Sequence, residues 1–483
     1  MKSIKAIILF LLIVVLTMSF QTPALGYWQI NDEVVLPATP VGQIAGEFLK
    51  ILNLGDKQEL FRFLQNSFTE QSLKDTPPED SMKYFERLYR QSGGIQVMSV
   101  STDSNERFLV LDVKSKRSNH WARMFFVLSR EQKNKLVEIG MFGTRSAEDI
   151  KANAWTEKKL SQKEALKEIA LHLAKDSAAD RFSGTVLIAK GDQIIFQKAY
   201  GMAEKTFAVP NKIDTKFNLA SMNKIFTAIA VAQLVEAGKL SFEDSLAKIL
   251  PEYPNQLNAQ KIKIKHLLSH TAGLGDFFDN PEFRPFRQKY QNPQDYFRLF
   301  ADKPLFFEPG ARFSYSNAGF VVLGAVIEKV SGENYFDYIR EHIYKPAGMM
   351  NTDSYELTEV VPNLAVGYGR FEDDPMGVDP RRSNIAFLPW KGSPAGGGYS
   401  TAPDLLKFVQ AFRSNKLISA KMKEVLIETK TKMIGSHRPG DYGYGFIIEE
   451  FLGKKVFGHS GGGANSGINS HLKVFADGSY TVI

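Results

Sequence analysis

The chain has 483 residues, 43% of them hydrophobic and 23% charged, which is enough to form the cores of two or three globular domains. Its formal net charge of +7 comes from scattered basic residues without a long Lys/Arg run, so the composition argues against a nucleic-acid partner. The chain contains no cysteine, which excludes disulfides, thiolate catalysis and cysteine-based metal sites.

Residues 1–26 have the pattern of a secretory signal peptide. Lys2 and Lys5 precede the apolar run AIILFLLIVVLTMSF, and ALG at 24–26 supplies small residues for cleavage. The alternative is an uncleaved membrane anchor, although the run is short for a span of ~20 residues. We therefore predict a secreted or periplasmic protein, with no stable membrane span after cleavage.

Residues 27–145 are predicted to form a small α+β domain. Apolar side chains recur at helical spacing over 41–52, a second helix is expected after Gly55-Asp56, and a third over about residues 81–90. Four strand-like runs follow: IQVMSVS, RFLVLDV, WARMFFVL and KLVEIGMF. This element order resembles the cone-shaped fold of the nuclear-transport-factor-two-like family, without a diagnostic motif. The polar stretch 146–160 is predicted to be a linker.

A second domain is predicted over residues 161–483. It opens with a helical run at about 161–178 and a hairpin, GTVLIAK and QIIFQKAYG, joined at Gly191-Asp192. The next run, IFTAIAVAQLVEAG, is apolar almost all round, which is typical of a buried central helix. Ser221 lies at its start and Gly238 at its end.

Ser-x-x-Lys occurs three times, and only its context distinguishes the copies: Ser221/Lys224, Ser245/Lys248 and Ser470/Lys473. On a helix, Ser221 and Lys224 share a face about one turn apart, and the apolar helix would bury the lysine. Burial lowers a lysine's pKa, so that Lys224 could accept the proton of a nucleophilic Ser221. The structural alternative is a helix cap beside a lysine that reaches solvent.

Tyr-x-Asn also occurs three times, and the third copy, Tyr315/Asn317, precedes another apolar helix. Tyr315 could act as acid or base for the serine, and the Asn317 amide could bind a substrate carbonyl. The structural alternative, a helix cap by Ser316 or Asn317, is compatible with that role. A glycine-rich run, FGHSGGGANSG, contains His459, Ser460 and Gly461. Its backbone N–H groups could complete an oxyanion hole, while a glycine-rich hairpin is the alternative.

These motifs, in this order, resemble the serine β-lactamase and penicillin-binding-protein superfamily, in its class C β-lactamase-like branch. The resemblance extends over roughly residues 165–483 and includes four further stretches: HLLSHTAGL, PGARFSYSNAGFVVLG, GGGYSTAPDLLKF and YGYGF. It implies an α+β fold with an antiparallel sheet flanked by helices and a helical lobe. His270, within the first stretch, is expected to support a turn near the cleft.

The resemblance implies acyl transfer through a covalent serine ester. Ser221 would attack a carbonyl, Lys224 and Tyr315 would move its proton, and Asn317 would orient the substrate. His459, Ser460 and Gly461 would line the opposite wall. The N–H groups of Ser221 and Gly462 would form the oxyanion hole, with no metal or organic cofactor. The expected partner is a small-molecule or peptide substrate, with peptidoglycan among the candidates.

Two departures from the family pattern qualify this expectation. The triplet at 459–461 is His-Ser-Gly where class C β-lactamases carry lysine, and a histidine of unperturbed pKa ~6.5 is mostly neutral at pH 7. That favours D-peptidase or esterase relatives over efficient β-lactam hydrolysis. The sequence also ends at Ile483 in a strand-like run where family members continue into a helix, so we expect a truncated domain.

Three hypotheses follow for function. The first is an exported serine hydrolase acting on D-amino-acid peptides, peptidoglycan stems or small esters. The second is a catalytically idle relative that binds cell-wall peptides or a partner protein. The third is a binding domain fused to a general esterase for lipidic substrates, which the lack of a long apolar lid stretch disfavours.

Overall fold

The computed structural model describes residues 34–102, 106–129, 131–144, 160–370, 374, 376, 378–433, 440–463 and 466–483. The predicted signal peptide and nearly all of the predicted linker lie outside these residues. The described chain forms two compact units. One comprises residues 34–144 with the described part of Gly369–Arg382, and the other comprises 160–368 and 383–483.

The N-terminal unit begins with four helices, α1 to α4: Pro40–Leu54, Lys57–Ser67, Glu70–Asp75 and Pro78–Ser92. Thr39, Asp56 and Thr69 each accept a backbone N–H at the start of the first three, as expected for N-cap residues. An antiparallel four-stranded sheet follows in sequence order, β1 to β4: Ile95–Thr102, Phe108–Ser115, Trp121–Leu128 and Leu136–Thr144. The three predicted helices and four predicted strands are confirmed, and the short helix α3 was not anticipated.

The core of this unit is aromatic at its centre. The Phe48 ring of α1 lies 4.9 Å from that of Phe85 and 5.6 Å from those of Phe63 and Phe126. Offset and edge-on contacts of this kind add to the stabilisation that burial provides. Met376, which comes from far along the chain, is buried in the same core.

The second unit is built on one eight-stranded sheet, whose strands are β5 Gly184–Lys190, β6 Gln193–Tyr200, β13 Thr431–Lys432, β14 Asp441–Tyr442, β15 Ile447–Phe451, β16 Lys454–Gly463, β17 Ile468–Phe475 and β18 Tyr480–Val482. Their order across the sheet is β13-β14-β15-β16-β17-β18-β5-β6. Every pairing along this sheet is antiparallel. The predicted hairpin is β5–β6. Short strands outside the sheet are β7 Met202–Glu204, β8 Val209–Pro210, β9 Phe217–Asn218, β10 Tyr368–Gly369, β11 Arg382–Ser383 and β12 Tyr399–Ser400.

Helices surround this sheet, and apolar side chains from most of them share one core with the strand residues Ile448, Phe457, Leu472 and Val474. The helices are α5 Gln162–Ala178, α6 Lys224–Glu236, α7 Leu246–Ile249, α8 Gln256–Lys261, α9 Ile264–Leu268, α10 Asn317–Ser331, α11 Tyr335–Ile339, α12 Lys345–Ala347, α13 Ala402–Arg413 and α14 Ala420–Ile427. Helices α6 and α10 are buried almost all round, which confirms the central helix predicted from its apolar sequence. Among the described residues, no helix is both long and apolar enough to cross a membrane.

Candidate active site

Ser221 lies on a tight 3₁₀ turn, Ala220–Asn223, directly before α6. The preceding residue, Ala220, has a φ of 43°, a left-handed conformation that a non-glycine residue adopts only under constraint. Two hydrogen bonds hold the turn: Ala220 N donates to Asn218 Oδ1 at 2.8 Å, and Ser470 Oγ donates to Leu219 O at 2.7 Å. The two residues that directly precede Ser221 are therefore held in place by hydrogen bonds.

Lys224 is the first residue of α6 and is fully buried, with 0% exposure. Its Nζ lies 3.1 Å from Ser221 Oγ, 2.7 Å from Asn317 Oδ1 and 2.5 Å from Ala395 O. A neutral amine has two N–H donors and one lone pair. Because the two carbonyl oxygens take the donors, the lone pair is left for the serine hydroxyl.

The electrostatics of this position suit a proton acceptor. Burial lowers the pKa of Lys224 to about 7, and the Asp276 carboxylate opposes this lowering in part. Around neutral pH, a large fraction of Lys224 is then uncharged and able to take a proton from a hydroxyl.

Asn317 begins α10 and connects Lys224 to Asp276. Its Oδ1 faces Lys224, while its Nδ2 and backbone N donate to Asp276 Oδ2 at 2.7 and 3.0 Å. The Asn317 amide is thereby fixed in one orientation. The sequence analysis did not identify Asp276 as a site residue. The sequence feature that could have pointed to it is its position shortly after the family stretch HLLSHTAGL.

Tyr315 lies beside the same lysine. Its ring centroid is 4.8 Å from Lys224 Nζ and 4.2 Å from the ring centroid of His270, and the residue is 40% exposed. The structure thus brings Tyr315 to the Ser221–Lys224 pair, at an accessible surface. Its part in proton transfer stays a prediction.

The glycine-rich run lies on β16, directly against the nucleophile turn. A Cβ added at Gly461 would meet Leu219 O at 2.0 Å and Ser221 N at 2.9 Å, so only glycine fits without displacing the turn. Gly462 follows with a φ of 93°, another conformation suited to glycine. The run therefore places backbone next to Ser221, as an oxyanion hole requires, although that role is untested.

His459 and Ser460 are buried on the same strand. The imidazole of His459 is 2% exposed, and its Nε2 lies 2.9 Å from the hydroxyl of Tyr442. The side chain predicted to line the opposite wall is thus bonded towards the interior of the fold.

The other copies of the two motifs have structural roles. Ser245 caps α7, and Lys248 pairs with Asp244. Lys473 pairs with Glu449, and Tyr253 and Tyr290 are buried in the core that helices and sheet share. Among the described residues, no group of acidic, His or Cys side chains is placed to hold a metal ion.

An antiparallel sheet flanked by helices, with a serine and a buried lysine one turn apart at the start of a central helix, defines the β-lactamase/transpeptidase-like class of serine hydrolases. The model of the beta-lactamase family matches residues 169–472, and the chain belongs to this family.

Known relatives are similar in sequence and fold. Penicillin-binding protein 4* of Bacillus subtilis (strain 168) is 34% identical over 295 residues, which are 58% of this chain and 63% of the relative. Esterase EstB of Burkholderia gladioli is 28% identical over 269 residues, which are 49% of this chain and 67% of the relative. The crystal structure of a penicillin binding protein from Bacillus halodurans superposes with a TM-score of 0.56 at 32% identity, covering 67% of this chain and 94% of that one. The chain thus spans less than two thirds of the first curated relative's length.

Proposed function

We propose that this protein is an exported serine hydrolase that works through an acyl-Ser221 intermediate. Its substrates would be D-amino-acid peptides, including peptidoglycan stems, or small esters. The observation that carries the proposal is the buried amine of Lys224, which has its two donors occupied by Asn317 and Ala395 and Ser221 Oγ within 3.1 Å. The names of two relatives, a penicillin-binding protein and an esterase, support the substrate classes.

The proposed reaction has two halves. Ser221 Oγ bonds to the substrate carbonyl carbon as its proton moves to Lys224 Nζ, and the N–H groups of Ser221 and Gly462 hold the oxyanion. The intermediate collapses when the bond to the leaving group breaks and Lys224, assisted by Tyr315, returns a proton to that group. Water then repeats the sequence on the ester and releases the acid, with Asn317 and the 459–461 wall orienting the substrate. No step calls for a metal or an organic cofactor.

Finer assignments belong to the same proposal. We assign the hydrolase domain, residues 161–483, to the class C β-lactamase-like branch, with D-Ala-D-Ala carboxypeptidase or esterase chemistry. Residues 27–145 would form a nuclear-transport-factor-two-like domain that recognises or positions the substrate. A cleaved signal peptide at 1–26 and a linker at 146–160 complete the arrangement.

The test is covalent labelling of the purified protein with a fluorescent penicillin and, separately, with a fluorophosphonate. Intact mass would be measured for the wild type, for Ser221→Ala and for Ser245→Ala. The last variant is a matched control because Ser245 starts another Ser-x-x-Lys and only caps a helix. We expect adducts on the wild type and on Ser245→Ala, and none on Ser221→Ala.

Each other outcome has a definite meaning. Labelling that persists in Ser221→Ala contradicts the assignment of the nucleophile. A wild type that reacts with neither probe supports the idle relative that binds cell-wall peptides or a partner protein.

A further inference from the structure

Three buried aromatic side chains form a hydrogen-bonded chain behind the site. His270 lies in the loop after α9, Tyr442 on β14 and His459 on β16, and all three are buried. His270 Nε2 lies 3.1 Å from Tyr442 Oη, and Tyr442 Oη lies 2.9 Å from His459 Nε2. Three separate elements of the fold thus meet in one polar chain.

Backbone groups fix the protons at both ends of this chain. At one end, Ser316 N–H donates to His270 Nδ1 at 3.1 Å, so this nitrogen must be a bare acceptor. At the other end, His459 Nδ1 lies 2.6 Å from Ser460 O, and because a carbonyl can only accept, this nitrogen must carry a proton. A neutral His270 then has its proton on Nε2 and donates it to Tyr442 Oη.

The remaining proton decides the charge of His459. Tyr442 Oη, which receives the N–H of His270, can give its own O–H to His459 Nε2, and every group is then paired. If His459 Nε2 were protonated as well, Tyr442 would receive two N–H groups and its buried O–H would lose this acceptor. Leaving a buried hydroxyl unpaired is unfavourable, so the arrangement with an unprotonated Nε2 is preferred.

The surrounding ionisable groups agree with an uncharged chain. Lys224 and His459 act on His270, and Tyr315 acts on Tyr442. Burial lowers the pKa of His270 well below its usual value, and the nearby Lys224 adds to this lowering. Burial likewise raises the pKa of Tyr442 well above its usual value, so its hydroxyl keeps the proton.

We propose that the His270–Tyr442–His459 chain holds His459 as the neutral Nδ1–H tautomer, and that the enzyme therefore prefers uncharged esters and carboxamides to substrates ending in a free carboxylate. The preference rests on the proposed function, since it presupposes acylation at Ser221. The tautomer does not, because it follows from the hydrogen bonds alone. Within the proposed substrate range, the inference selects esters and amides over carboxypeptidase substrates.

The tautomer is measurable without any substrate. The full chain, labelled with ¹⁵N-histidine, contains eight histidines, and His459→Gln would identify the signals of His459. We expect a protonated Nδ1 and a bare Nε2, unchanged between about pH 6 and about pH 8. A signal from a protonated Nε2 in this range would overturn the inference whatever the protein's activity.

The substrate preference is measured with one matched pair of compounds. An acylated D-Ala-D-Ala dipeptide with a free carboxylate and its C-terminal carboxamide differ only in the charge next to the scissile bond. We expect a higher kcat/KM for the carboxamide in the wild type, and a shift of about tenfold or more towards the carboxylate in His459→Lys. Equal rates in the wild type, or a preference for the carboxylate, would contradict the inference.

A second variant tests the same inference in case the His459→Lys protein does not fold. Tyr442→Phe keeps the buried ring but removes the hydroxyl that donates to His459 Nε2, so protonation of this nitrogen no longer costs that hydrogen bond. The ratio of the two rates should then shift towards the carboxylate below about pH 6.5, which it should not do in the wild type. If the ratio of the two rates does not change with pH in Tyr442→Phe, the proposed role of the His270–Tyr442–His459 hydrogen bonds is contradicted.

Fluorophosphonate labelling of Ser221 in each sample separates the two proposals. If the folded wild type reacts with neither the fluorophosphonate nor the fluorescent penicillin, the proposed function is contradicted, and the NMR measurement still tests the tautomer. Labelling of Ser221 together with the wrong substrate preference contradicts only this inference.

Discussion

Lys224 determines the pH range over which the site can react. With a pKa of about 7, it is mostly charged below neutral pH and cannot accept the proton of Ser221. We expect the rate of Ser221 acylation to rise with pH, about tenfold per unit below pH 7, and to level off above it. The check is the rate of fluorophosphonate labelling between about pH 5 and about pH 9. A flat profile would show that a neutral lysine is not required, and Lys224→Met should abolish labelling.

Asp276 should shift that profile without taking part in the chemistry. Its negative charge favours the protonated lysine, so Asp276→Asn removes the group that raises the pKa of Lys224. The acid limb of the profile, the range in which the labelling rate rises with pH, should therefore lie at lower pH in this variant. The same labelling rates measure it. Glu282→Gln, which removes an exposed carboxylate paired with Arg298, is the control and should leave the limb in place. If the pH at which the labelling rate falls is higher in Asp276→Asn than in the wild type, or is unchanged, this role of Asp276 is contradicted.

The two residues differ in how far the sequence reveals them. Ser221 and Lys224 are three positions apart at the start of an apolar helix, so helical periodicity alone places them together and buries the lysine. Asp276 reaches Asn317 across 41 positions from a loop. It belongs to no periodic element, and only the tertiary fold brings its carboxylate to the site.

At the scale of elements, strand β16 packs closely against the turn Ala220–Asn223 that carries Ser221. Gly461→Ala would put a methyl group 2.0 Å from Leu219 O, so strand and turn must separate. Because misplacing a reacting group by about 1 Å can cost about 100-fold in rate, we expect a loss of that order in labelling rate. Gly463→Ala on the same strand is the control, since among the described residues its Cβ would meet Ser466 Oγ alone, at 4.0 Å. Equal rates for the two variants would contradict the close fit.

Elements with a strong local pattern were predictable, and their long-range arrangement was not. The four N-terminal strands and the buried helix α6 follow from alternation and from an all-round apolar sequence. The eight-stranded sheet pairs β18 with β5, from opposite ends of the domain. Sequence periodicity indicates that a strand exists, but its neighbours depend on packing over the whole domain. The resemblance to a family supplied the sheet-and-helix architecture that local patterns could not.

At the scale of the whole molecule, the chain leaves its hydrolase unit and returns to it. Residues 369–382 lie within the hydrolase sequence, yet they belong to the N-terminal unit. Arg87 forms an ion pair with Asp379, and Gln91 Nε2 donates to Asp374 Oδ1 at 3.0 Å. Nothing in the sequence indicated this, because the segment has no helical or strand periodicity, and a domain boundary drawn at a single linker cannot represent it.

The segment 369–382 should contribute to the stability of the N-terminal unit. Met376 is buried there in one cluster with residues of α1, α2, α4 and the sheet, and Met376→Ala would remove most of its side chain from the core. Such truncations cost about 2–5 kcal/mol, so the unfolding transition of this unit should move to lower temperature or denaturant concentration. Calorimetry would show it, with loss of native aromatic circular dichroism from the Phe48 cluster as a second signal. Met350→Ala is the matched control, because that side chain is 77% exposed and should be neutral. If both variants unfold at the same temperature and denaturant concentration as the wild type, the segment 369–382 does not stabilise the N-terminal unit, and the contacts within residues 34–144 account for its stability.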